Sequence, residues 1–510
     1  MKKNIIILIA LGFSLVGLPS CNKNLDLAPI SSISDANYWK TADQFDAFVN
    51  GVHSSFRGHE RAFVHLGELR ADAFGNDPGT TGSFTGEAPQ GLERMWLQTL
   101  DMDNPGVGNY GGFYSNINQL NLLINKLNTT AIVSETDKNY YLGVAHGMRA
   151  FYYFHLYRSW DKAIIQTEAI ADIDISNLAK AASSGEEVLA LVKQDIDQSL
   201  NSFAGDYSFR KGRSFWSKAA SLMLKAEVYL WTAHRAGGAG DAAIAKNALT
   251  EIQSNTALGL IEPFSQVFAY NNKGSNEIIF AVRHQLNEAT LGFIGDFVPQ
   301  AGLIANYYDS LDNRKFTVTQ ENYGGLLRIP TKIATYRQYH DLDSRKNTSI
   351  QAAYEKEADG DFKIAGAFLK KYQGQQDAGS RAYTNDFPIY RYADLLLLLA
   401  EAKAILGENP AAEINQVRAR AFGANYDPAR FAYPNQAIDS DPYDAILQER
   451  FLEFVGEGKR WYDLRRFGDS YVYEHTTLTS ADAYKLLWPI DRTTLTNNRE
   501  LKQTPGYPEF

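Results

Sequence analysis

Residues 389–407 read IYRYADLLLLLAEAKAILG, and the fold of this 510-residue chain turns on them. Their apolar periodicity predicts one arm of an antiparallel helix pair, and AAEINQVRARAFG at 411–423 predicts the other. Ala400 and Ala404 are small enough to let the two arms approach closely. Toward the N-terminus the pattern recurs, with 137–160 pairing with 186–201 and 215–234 with 241–253; Ala219 and Ala226 lie in the second of these pairs. Each pair leaves an apolar face that only a neighbouring pair can cover. The expectation is a mainly α fold, a tetratricopeptide-like superhelix of helical pairs with loop-rich insertions and a few short strands.

Asp43 to Phe56 and Phe113 to Leu127 are read as further helices, and 442–468 as helical with a bend or close contact at Gly456 and Gly458. Two regions, about 60–112 and 256–388, lose the periodicity and fill with Gly, Asn, Asp and Tyr. They are expected to be the insertions, with NEIIFAVRHQ at 276–285 as a strand.

At the N-terminus, Lys2 and Lys3 precede an apolar run from Ile5 to Val16. That run is too short to span a bilayer and has the form of a secretory signal. The tetrapeptide Leu18-Pro19-Ser20-Cys21 resembles a bacterial lipobox, and Cys21 is the only cysteine. Residues 1–20 are therefore expected to be a lipoprotein signal peptide, and 21–38 a tether lipidated at Cys21. A single domain is expected over 39–510. Lasting attachment needs more than one acyl chain. One cysteine excludes an internal disulfide, so packing alone must hold a core of this size.

The net charge of −9 argues against nucleic acid as a partner. The 29 Tyr, 28 Phe and 7 Trp supply a core with rings to spare for a stacking surface.

Catalytic motifs are scarce. GVGNYG at 106–111 matches a dinucleotide-binding pattern by letter, but it follows a turn, LDMDNP, where a strand is required. His53, His59 and His65 recur every six residues, which puts no two on one helical face. No zinc-binding cysteine set or G-x-S-x-G nucleophile elbow exists. A paired-carboxylate hydrolase stays open, since carboxylate separation needs coordinates. No cofactor is read from the chain; the Asp359–Asp361 turn lacks the Glu of a calcium loop, and a structural calcium ion is left open. ERFLEFVGEGKRWYDLRRFG is the densest charged motif. Glu449, Glu453 and Glu457 are spaced along one helical stripe, and Arg450, Arg460, Arg465 and Arg466 are expected to neutralise them in a structural ion-pair network.

Several blocks, in order, resemble the SusD/RagB-like family of outer-membrane nutrient-binding lipoproteins. These are SCNKNLDLAPISSISDANYWK, LRADAFGND followed by YSNINQLNLLINKL, YHDLDSRK, PIYRYADLLLLLAEAKAILG with INQVRARA, ERFLEFVGEGKRWYDLRRFG, and LLWPIDRTTLTNNRELKQTPGY. The resemblance implies a non-catalytic, lipid-anchored protein at the outer-membrane surface. It also implies that such a protein binds oligosaccharide and delivers it to a SusC-like TonB-dependent transporter. Peptide binding on the same architecture and a lipid-anchored glycoside hydrolase are the alternatives. Ligand contacts would then fall in the insertions, where aromatic faces can carry the C–H groups of a pyranose. The candidates are Trp96 with Arg94 in the first insertion, flanked across Gly-rich turns by Tyr110 and Phe113, and Tyr307, Tyr308, Tyr323 and Tyr336 in the second.

Overall fold

The computed structural model describes residues 38–76, 84–170 and 179–510. The signal segment, Cys21 and the tether up to residue 37 lie outside these residues. Helix α1 (Ala42–Arg57) starts on a capping box, in which the Thr41 hydroxyl accepts from the Gln44 N–H and the Gln44 side chain accepts from the Thr41 N–H. It buries Phe45, Val49, Val52 and Phe56, the stripe its sequence predicts. Next comes α2 (Glu60–Glu68), inside a region expected to be loop. Eight of its nine residues are buried, among them the polar Glu60, His65 and Glu68, so its polar positions do not mark a solvent face.

The scaffold continues with α3 (Asn109–Thr129), α4 (Glu135–Trp160), α5 (Gly185–Phe203), α6 (Lys218–Thr232) and α7 (Gly238–Asn255). After a long insertion come α8 (Tyr392–Ile405), α9 (Ala411–Phe422), α10 (Pro442–Phe454) and α11 (Arg460–Phe467). Packing is between α4 and α5, α6 and α7, and α8 and α9, the three predicted pairs. The pairs stack in series, α5 on α6 and α7 on α8, so each covers its neighbour's apolar face. Ala219, Ala226 and Ala400 are buried in these contacts. Among the described residues no helix is long and apolar enough to cross a membrane.

The insertion holds strands β1 (Ile278–Val282), β2 (Tyr308–Asp309), β3 (Arg314–Lys315), β4 (Ile350–Lys356) and β5 (Phe362–Leu369). A small hairpin, β6 (Gln375–Asp377) with β7 (Ser380–Ala382), and β8 (Phe387–Arg391) complete it. One sheet has the order β3-β2-β4-β5. In a second, β8 pairs antiparallel with β1, setting Val282 opposite Phe387. The helix expected from residue 389 thus begins at Tyr392, because its first residues belong to a buried strand that runs straight into it.

The predicted helical stretch 442–468 is divided by a turn in which Gly456 and Gly458 adopt positive φ (78° and 74°). A Cβ on Gly67 would lie 1.7 Å from the Gly458 carbonyl oxygen, so two backbones meet there and only glycine fits. Glu457 therefore sits in this turn and not on α10.

The three glutamates are buried and paired, but their partners come from elsewhere than expected. Glu453 accepts from Arg345 (3.1 Å), Arg391 (2.5 Å) and Arg420. Arg391, at the strand–helix junction, also reaches Glu277 and Glu457 at 2.8 Å. Glu457 takes Lys371 at 2.8 Å, and Glu449 takes Arg345 (2.6 Å) and Arg418 (3.0 Å). The turn at 455–459 redirects α11, and its cations face other carboxylates. Arg450 pairs with Asp394 and Asp463, Arg460 with Asp72, and Arg466 with Glu401. Arg465 has no carboxylate partner among the described residues; it donates to the Leu486 carbonyl and lies over Trp231.

Burial opposes ionisation of Glu453, but Arg420, Arg391 and Arg345 outweigh it and hold the carboxyl far below its usual range. Asp394 and Glu401 are likewise held at about 2 against burial, by Lys459 and Arg450 and by Arg466 and His234 respectively. Stability from such groups is present above the ordinary carboxylate range and is lost as pH falls toward their folded values. Glu68 has the opposite sign. Burial pushes its carboxyl up to about 8, despite N–H donors from Lys459 and Gly458. Its contribution is full below the ordinary carboxylate range and drains away as pH rises to about 8.

Two predictions follow from these signs. Removing one member of a buried pair strands its partners, so Glu453→Ala is expected to cost about 3–5 kcal/mol in denaturant unfolding. Lys246→Ala, which breaks a surface pair with Glu408, should cost under about 1 kcal/mol. Glu68→Gln should raise the melting temperature relative to the parent at pH 8, with the difference vanishing at pH 4.

Candidate functional site

A cavity of about 240 Å³ opens between the two insertions. Its backbone frame is a sheet-like stack of three segments, in which Phe74 bridges Thr331 and Thr331 bridges Ala367 of β5. The Gly75 N–H donates to the Pro330 carbonyl (2.9 Å), and the Glu87 N–H to the Leu326 carbonyl (2.8 Å). These bonds pin the first insertion onto the second and fix the cavity's walls.

Trp96 ends a short helical turn, Glu93–Trp96, that lays its indole against Gly75. Gly75 has φ 108°, and a Cβ there would come within 2.7 Å of the indole. Phe84 forms a second aromatic wall, backed edge-on by Tyr307 (5.1 Å) and stacked with Phe368. Both rings keep only a sliver of surface, 9% for Trp96 and 7% for Phe84.

Polar groups sit around these rings. Asn76 and Glu87 are exposed at the rim, and Gln300 donates to Glu87 (2.8 Å). Arg328 lines the wall and shares Asp296 (3.5 Å) with Arg61 (2.8 Å). One carboxylate thus serves two guanidinium groups, and the buried Arg328 Nε has no partner among the described residues. The Thr331 hydroxyl is buried there in the same condition. Among the described residues the lining therefore combines an aromatic surface with convergent donors and a single carboxylate, an arrangement that can hold a hydroxylated ring.

Of the eight predicted contact residues only Trp96 lines this cavity. Arg94 is turned toward Asp101 and the Thr99 carbonyl. Tyr110 and Phe113 belong to the core of α3, against Trp160 (5.5 Å) and against His59 and Phe63, and offer no face to a ligand. Tyr307 supports Phe84 from behind. Tyr308 packs on Phe362 in the small sheet. Tyr323 lies on Phe368, and Tyr336 is buried beside Asn347. Irregular segments have no alternating face to bury, so they use their rings to close themselves. Phe84, Arg328, Asn76 and Thr331 were missed. Loop composition marks the region of about 60–112, but nothing local announces that residue 330 lies across from residue 75.

The fold and this cavity define a class: a helical-pair scaffold that carries a cavity built from its insertions. The chain belongs to the SusD family, whose sequence model matches residues 304–507. It is similar to the structure of B. fragilis NanU, at 45% identity over 94% of this chain and all of that one, with a TM-score of 0.88. The SusD-like protein P38 of Formosa agariphila is 27% identical over 99% of both chains. The starch-binding protein SusD of Bacteroides thetaiotaomicron is 22% identical over 96% of both.

The Gly75–Trp96 contact is testable. Gly75→Ala should displace the indole, altering near-ultraviolet circular dichroism and costing about 1–3 kcal/mol, with far-ultraviolet helicity retained. In a Trp96→Phe background the spectral change should be absent.

Proposed function

We propose that this chain is a non-catalytic glycan-binding lipoprotein of the cell surface that takes oligosaccharide into the Trp96 cavity. The observation that carries the reading is the pairing of Trp96 and Phe84 with the donors Asn76 at the rim and Arg328 in the wall. Aromatic faces carry sugar C–H groups, and the donors meet hydroxyls. The starch-binding name of one relative agrees with this class of ligand. A two-carboxylate hydrolase needs a pair flanking the bond, whereas among the described residues Glu87 is the one carboxylate in the cavity's lining. The proposal assigns no cofactor. Cys21 would carry the lipid that holds the protein at the outer membrane, and a SusC-like TonB-dependent transporter would receive the glycan. Peptide in place of glycan is the second reading, supported by the excess guanidinium charge at Arg328 and Arg61.

Titration of the soluble protein beginning at Asn22 with oligosaccharide and peptide panels, read by tryptophan fluorescence and calorimetry, tests this. Saturable binding of a glycan is expected, weakened about tenfold or more in Trp96→Ala with helicity retained. Saturation by peptides alone, or turnover of a polysaccharide, would end the proposal.

A further inference from the structure

Arg328 is the one cation among the described residues that line the Trp96 cavity, so whatever governs its side chain governs the site's charge-assisted donors. Its main chain has little freedom to move. The Leu326, Leu327 and Ile329 N–H groups donate to the carbonyls of Gly295 (2.7 Å), Val298 (2.9 Å) and Asp296 (2.8 Å). Leu327 is held at φ 48°, a left-handed conformation that a leucine keeps only where its surroundings dictate it. The guanidinium alone is left to respond to its neighbours.

The neighbour that matters is Asp296, which is buried and lies outside the cavity's lining. Its two carboxylate oxygens are not used alike. One accepts from Arg61 at 2.8 Å, a full charge-assisted hydrogen bond. The other stands 3.5 Å from Arg328, beyond that range.

Arg61 holds the stronger position. Its second terminal nitrogen donates to the Gly292 carbonyl (3.0 Å), while the neighbouring Glu60 accepts from the Gly292 N–H (2.9 Å). The first turn of α2 thus grips residues 292–296 at three points. A buried carboxylate that loses one of two cations draws the other into a close pair, because little water is at hand to replace the first.

We infer that Arg61, which does not line the cavity, is a positioning residue of the Trp96 site: by occupying Asp296 it keeps Arg328 turned toward the cavity. Without Arg61, Asp296 would take Arg328 as its sole partner, and a ligand would have to break that pair to recruit the guanidinium. This assignment rests on the reading of the cavity as the ligand site.

Phenylglyoxal, which modifies guanidinium groups not tied up in ion pairs, tests it without any glycan, and peptide mass mapping follows Arg328 alone. Arg61→Ala is expected to slow modification of Arg328 about threefold or more. Arg61→Lys returns a cation to the same carboxylate and should restore most of the parent rate. Adding Asp296→Asn to Arg61→Ala removes the competing charge and should restore the rate as well. Arg61 is half exposed, so these variants should fold, and circular dichroism checks that they do. A purely structural role for Arg61 has the opposite sign, since a loosened insertion would react faster. An unchanged or faster rate in Arg61→Ala overturns the inference, as does slowing that survives Asp296→Asn. Oligosaccharide titration of Trp96→Ala decides the glycan reading separately, so either can fail while the other stands.

Discussion

The structure depends on Glu453. It lies fully buried on α10 and draws guanidinium groups from three separate parts of the chain: Arg345 from the insertion, Arg391 from the strand–helix junction and Arg420 from α9. Taking these ions out of water costs several kcal/mol each, and only near-complete mutual pairing offsets that. The network therefore tolerates one arrangement of its members. Apolar packing could join the same helices in several registers, whereas Glu277, Glu453 and Glu457 meet Arg391 only when β8, α10 and the glycine turn are all in place. In this protein the charges specify the geometry and the surrounding apolar core stabilises it.

That division explains how the site is held. The stacked helix pairs carry none of the residues around the Trp96 cavity. They hold the two insertions at fixed positions, and the insertions pair with each other through Gly75–Pro330 and Glu87–Leu326. The cavity-lining side chains of these loops can vary without disturbing the ion network, whose members in the insertion are Glu277, Arg345 and Lys371.

The sequence was informative where periodicity runs long. The span from Asp43 to Phe56 appears as Ala42–Arg57, and the three helix pairs lie where their apolar stripes place them. It was silent where burial is complete on every side. Helix α2 buries Glu60, His65 and Glu68 along with its apolar residues, so the polar letters of ERAFVHLGE suggest a solvated loop where the structure has a covered helix. Residues 389–391 are as apolar as the helix they lead into, which hides the change from strand. The acidic stripe at 449–457 could be recognised as paired, but its partners lie as far off as Glu277 and Arg345, and local sequence favoured the wrong arginines. Trp96 stood out as a large ring in a Gly-rich stretch. Tyr307, Tyr323 and Tyr336 give the same local signal and are covered as closely as Trp96, whereas Tyr308 is half-buried and Tyr270 exposed, because exposure depends on which distant segment covers each ring.

The clasp between Gly67 and Gly458 has a consequence for how the molecule comes into being. It is reinforced by Asp72–Arg460, by Arg70 on the Leu487 carbonyl and by Trp160 on the Pro489 carbonyl. The opening third of the chain is thus fastened to its last tenth. A polypeptide emerging from its N-terminus can build the early helix hairpins at once, but it holds an open, apolar flank until the final segment arrives. The clasp can therefore close only after residues 458–489 have been synthesised, which makes it a contact of high sequence separation.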